Sequence, residues 1–119
     1  MKTTSLELSK KIFEAFPEWK ETYWYYQKDS NFTWINIEGI SEKRDEFCCP
    51  AYDTDFLLDK LGAGAGVYKD TNGYTARRPN SYGSPENKDP LNGRTGWQGG
   101  TAAEALGNLA LALKEKGLL

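Results

Sequence analysis

The chain has no histidine among its 119 residues. That excludes a histidine general base, a Ser-His-Asp or Cys-His arrangement and any histidine-containing metal site. Cysteine is nearly as scarce: Cys48 and Cys49 are the only two, and they are adjacent. Neighbouring cysteines pair only through a strained ring, so two reduced thiols in a cytosolic protein are expected. No apolar run approaches the ~18 residues of a membrane span, and residues 1–16 lack the apolar segment of a signal peptide. An excess of one charge is missing too. Fifteen basic and seventeen acidic groups leave a net charge of −2, with no signature for a long nucleic acid.

What remains is one small domain, residues 1–119, of the size that holds a single core. Three helices are signalled. Thr4 and Glu7 form a capping box for residues 5–16, where Leu8, Ile12 and Phe16 make a buried stripe and Pro17 ends the helix. Asp53 caps a helix over residues 54–61, with Phe56, Leu57 and Leu61 inward and Gly62 as its terminator. Thr101 and Glu104 form a second capping box before Leu106, Leu109 and Leu113, and Gly117 ends that helix.

Strands are signalled between the helices. Residues 22–27 and 32–37 read as a hairpin about a four-residue turn, Lys28-Asp29-Ser30-Asn31. That loop length sets Tyr25 opposite Trp34 and Trp24 opposite Ile35. Alternation then gathers Tyr23, Tyr25, Phe32 and Trp34 on one face and Trp24, Tyr26, Ile35 and Ile37 on the other. A short strand is expected through Phe47-Cys48-Cys49 to Pro50. Residues 67–69 and 74–77 flank an Asn-Gly turn, and a last short strand covers 95–98. The fold class is α+β: an antiparallel sheet of hairpins with an N-terminal, a short middle and a C-terminal helix. Residues 79–100 form a long Gly/Pro/Asn-rich loop, of a length uncommon in compact domains unless functional or disordered.

Several motifs have plain structural readings. The run Gly62-Ala63-Gly64-Ala65-Gly66 follows a helix and precedes a strand, the reverse of a phosphate-binding loop. Asp53 and Asp55 suit a helix N-terminus, which accounts for them without a metal. The thiols lack a histidine partner, and no Gly-x-Ser-x-Gly elbow is present. No catalytic residue, metal ligand or cofactor is therefore assigned, and the chain is read as not an enzyme.

Aromatic residues and charge are unevenly distributed. Nine of the sixteen aromatics lie between Phe13 and Trp34, more than one helix-covered face accommodates. Residues 1–76 hold nine basic and thirteen acidic groups, net −4, whereas residues 77–100 are net +2. Arg77, Arg78 and Arg94 accompany Tyr82 and Trp97 in that second segment. Guanidinium groups grip phosphate or carboxylate in bidentate fashion, and aromatic faces stack on bases.

Two segments carry a resemblance: Pro50 through Gly62, with its Pro-Ala opening and Leu57-Leu58 helix, and Thr101 through Leu119, with Thr-Ala-Ala-Glu-Ala-Leu and a Gly-Leu-Leu end. The chain resembles a widespread group of small phage and prophage accessory proteins, outside residues 79–100. The resemblance implies phage origin, residence in the host cytosol and action by stoichiometric binding, as in counter-defence; it assigns no catalytic residue.

The leading expectation is a homo-oligomeric protein that sequesters a small anionic, nucleotide-like ligand. Tyr23, Tyr25 and Trp34 would stack on the base, Arg77, Arg78 and Arg94 would pair with phosphate, and Tyr82 and Trp97 would complete the site. Oligomerisation would shelter part of the surplus aromatic surface. The alternative is an inhibitor that docks its aromatic hairpin face on a host protein. A small carboxylate-dependent hydrolase is the weaker third.

Overall fold

The computed structural model describes residues 2–39, 48–71, 73–78, 97–117 and 119. Helix α1 (Leu6–Ala15) is capped by Ser5, whose hydroxyl accepts from the Leu8 N–H at 3.2 Å. The expected cap, Thr4, is instead buried, its hydroxyl 2.6 Å from that of Ser9 and its N–H donating to the Tyr52 carbonyl at 2.9 Å. A hydroxyl that completes a tertiary network is unavailable as a cap, and the next residue takes over. Glu7, expected to reach back, is exposed. Glu104 takes the reciprocal role from the C-terminal helix, its Oε1 accepting the Ser5 N–H at 2.8 Å.

Strands β1 (Trp24–Lys28), β2 (Trp34–Glu38) and β3 (Cys48–Ala51) form one antiparallel sheet in the order β2-β1-β3. Helix α2 (Thr54–Leu61) follows, with Asp53 Oδ1 accepting the Phe56 N–H at 2.8 Å. Strands β4 (Gly66–Asp70), β5 (Gly73–Arg77) and β6 (Trp97–Gly99) form the second sheet in the order β4-β5-β6. The architecture is α+β with N-terminal, middle and C-terminal helices as expected, but its hairpins are divided between two three-stranded sheets.

Helix α3 (Ala102–Glu115) begins at Thr101, which accepts the Glu104 N–H at 3.1 Å, and buries Leu106, Leu109 and Leu113. It packs on all three strands of the second sheet and on α1 and α2, while α1 also packs on β3. Gly99 permits the approach to β6: a Cβ there would stand 2.5 Å from the Ala105 nitrogen. Gly107 does the same for α1, since a Cβ would meet Ile12 Cδ1 at 2.9 Å and Leu8 Cδ2 at 3.0 Å.

The main core joins Leu8, Ile12, Phe16, Trp19, Tyr52, Leu57, Leu61, Ala76 and the α3 leucines. Phe16 and Trp19 stack at 3.7 Å between ring centroids, and the Tyr52 hydroxyl donates to the Trp19 carbonyl at 2.8 Å. Much of the aromatic surplus is thereby internal. A smaller cluster on the inner face of the first sheet combines Tyr26, Cys49 and Ala51 with half-buried Leu6, Trp24 and Trp34.

Candidate interaction surface

The hairpin register decides what the first sheet presents. Lys28 pairs with Trp34, Gln27 with Ile35, Tyr26 with Asn36, Tyr25 with Ile37 and Trp24 with Glu38. The expected pairing of Tyr25 with Trp34 and Trp24 with Ile35 is displaced by three residues. An odd displacement exchanges the faces of β2, so Trp34 joins Trp24 and Tyr26 inside while Ile35 and Ile37 join Tyr25 outside.

The turn explains the displacement. Asp29 donates its N–H to the Thr33 carbonyl at 2.9 Å, and its carboxylate accepts the Asn31 and Thr33 N–H groups at 2.8 and 2.9 Å. The loop proper is therefore the three residues Ser30-Asn31-Phe32, with Phe32 left-handed at φ 58°. Three-residue hairpins place a left-handed residue there, ordinarily one with little side-chain penalty. For phenylalanine the conformation costs about 1–2 kcal/mol. Phe32 is nevertheless 71% exposed, so its ring gains little burial to offset that cost.

Other exposed apolar groups accompany it. Tyr23 is 57% and Ile35 43% exposed; Tyr68, on β4 of the other sheet, is 46% exposed. Trp24 lies edge-on to Tyr23 at 6.2 Å. The neighbouring Glu38 carboxylate raises the Tyr23 phenol above its ordinary pKa, first by favouring the protonated hydroxyl as a hydrogen-bond donor and then by its negative charge. Trp34 has Lys10 Nζ 4.9 Å and Lys28 Nζ 5.5 Å from its ring centroid, and Lys28 Nζ is also 5.6 Å from that of Phe32. Positive charge is thus concentrated beside the aromatic end of the hairpin.

The residues expected to form a ligand site are divided. Tyr23 and Tyr25 belong to the first sheet, with Tyr25 half-buried between Ile37 and Pro50 in the ladder. Trp34 lies on the opposite face, so the three-ring stacking platform is not formed. Arg77 is exposed at the end of β5 opposite Gly66, Arg78 is half-buried just beyond it, and Trp97 opens β6 opposite Ala76. These belong to the second sheet, and the helices α1 and α3 stand between the two groups. Tyr82 and Arg94, like most of loop 79–100, lie outside the described residues, as does Phe47.

Sequence reasoning placed Phe32 on the surplus aromatic face without assigning it to the site; it missed the exposure of Ile35 and the two lysines beside Trp34. The signal for the first was present: an aspartate preceding Ser-Asn, able to accept N–H groups from its own loop, favours a tighter turn. Among the described residues no group of three or more Cys, Asp or Glu side chains is placed to hold a metal ion, and no helix is long and apolar enough to cross a membrane. No family model, curated protein or solved structure matches the chain.

Proposed function

We propose that the protein acts by binding another protein through the exposed side of its β1–β2 hairpin, without catalysing a reaction. The observation that carries this reading is the concentration of exposed apolar groups on the hairpin: Phe32, Tyr23 and Ile35. Phe32 is the most telling of them. A large ring held in a left-handed turn and left in water is costly to the free protein, and such outliers mark functional positions. Aromatic anchors surrounded by polar groups are also the usual centre of protein interfaces. Lys28 and Lys10 favour an acidic contact patch on the partner. A phage accessory protein, which the chain resembles, would find that partner in its host.

This reading is favoured over capture of a small anion because Tyr25, Trp34 and Arg77 do not converge. Immobilised protein should retain a partner from host extract at about 0.5 M salt, where contacts between exposed charges are largely screened. Retention should disappear with Phe32→Asn and persist with Arg77→Ala. The reverse pattern, with retention lost in Arg77→Ala and at high salt, would return the anion-capture reading to first place.

A further inference from the structure

We propose that two copies of the chain join edge to edge through β2, forming one continuous six-stranded antiparallel sheet. This is independent of the binding reading above and rests on the backbone of β2. Gly39 donates its N–H to the Tyr23 carbonyl at 2.7 Å, and Asp29 donates to the Thr33 carbonyl at 2.9 Å. Hydrogen-bonded pairs alternate along an antiparallel ladder. Residues 33, 35, 37 and 39 therefore turn their polar groups toward β1, and Trp34, Asn36 and Glu38 turn theirs away. Among the described residues β2 pairs with β1 alone. Strand β2 contains neither a proline nor a bulge, and its one charged residue is Glu38 at its end.

One two-fold register uses every outward group: Asn36 opposite Asn36 of the second copy, and Trp34 opposite its Glu38. Each of these pairs then exchanges both backbone hydrogen bonds. The same register sets Ile35 beside Ile37 of the other copy on the outer face, covering apolar surface that the single chain leaves half exposed. It also delivers each Glu38 carboxylate to a Trp34 ring flanked by Lys10 and Lys28, placing opposite charges together at both ends of the join. A slide of four residues, setting Glu38 against Glu38, would put like charges opposite each other. Phe32 of one copy and Tyr23 of the other also arrive at the same end of the joined strands, since Tyr23 pairs with Gly39 beside Glu38.

Sedimentation velocity on the full chain from about 1 μM to about 1 mM, a range spanning moderate to weak association, should show the mass rising from 13.4 kDa to twice that value. Hydrogen exchange over the same series should show the amides of Trp34, Asn36 and Glu38 becoming protected at high concentration. Those of Ile35 and Ile37, already bonded to β1, should not change. Glu38→Lys should weaken dimerisation by about tenfold, because two-fold symmetry removes an opposite-charge contact at both ends of the join, each within the range of cross-strand values. Lys28→Glu added to it should recover part of that loss. A single-chain mass throughout, or a dimer that leaves the three outward amides unprotected and ignores Glu38→Lys, would overturn the proposal.

Discussion

The two sheets have the same number of strands and the same antiparallel pairing, yet they stand in different relations to the rest of the molecule. The second is clasped by α3: Ala76 is fully buried, Val67 and Tyr74 pack on the main core, and Gly99 lets β6 run against the helix backbone. The first meets the helices along its inner face, where Trp24, Tyr26 and Trp34 gather, and leaves Tyr23, Phe32 and Ile35 exposed. Apolar content alone does not account for this, because the strands of the first sheet are the richer in apolar residues and yet the less covered. What separates them is whether a helix covers the strands, and the sheet with less cover is the one that offers a surface to other molecules.

Substitutions should break this contrast in a graded way. The largest effect belongs to the α3 side: Leu106→Ala should lower unfolding stability by about 3–4 kcal/mol, read by chemical denaturation, because a fully buried leucine leaves a cavity. Gly99→Ala should cost about 3 kcal/mol, since its methyl would meet the backbone of α3 rather than a movable side chain. Glu104→Ala should cost about 1–2 kcal/mol by leaving the Ser5 N–H without its carboxylate acceptor. A thermal melt showing no change for Gly99→Ala would mean that α3 and β6 are less closely joined than their spacing indicates.

The smallest effect lies on the hairpin and sharpens the contrast there. The Tyr23 phenol should titrate above its ordinary value near 10, and Glu38→Gln should bring it back toward that value in a difference absorbance titration. The sign follows from the neutral phenol being the favoured form. Any stability it contributes is complete below the unfolded pKa and is lost as pH rises through the folded one. A titration identical in the variant would mean that the hydroxyl and carboxylate do not meet in solution.

The elements read most faithfully in the sequence are those with local signals. Asp53 caps α2 and Thr101 caps α3 because each side chain satisfies an N–H three residues ahead, within reach of any short-range reading. Thr4 failed as a cap for the opposite reason. Its hydroxyl is committed to Ser9 and the Tyr52 N–H, partners brought together only by the tertiary fold. The hairpin's existence was legible from its β-branched and aromatic residues, whereas its register rested on a fainter local signal. It turns on the Asp29 carboxylate binding two N–H groups of its own loop, and that displacement moved Trp34 from the expected ligand face into the inner cluster. The division into two sheets was out of reach, because only packing by α1 and α3 decides which hairpins share a ladder.

The central claim is that Phe32 is held in an unfavourable conformation for binding rather than for folding. Phe32→Gly tests it in one paired measurement of melting temperature and partner retention. The account predicts a melting temperature equal to or above that of the unaltered chain, because glycine relieves the left-handed turn, together with loss of the retained protein. A clear drop in melting temperature with retention intact would contradict it.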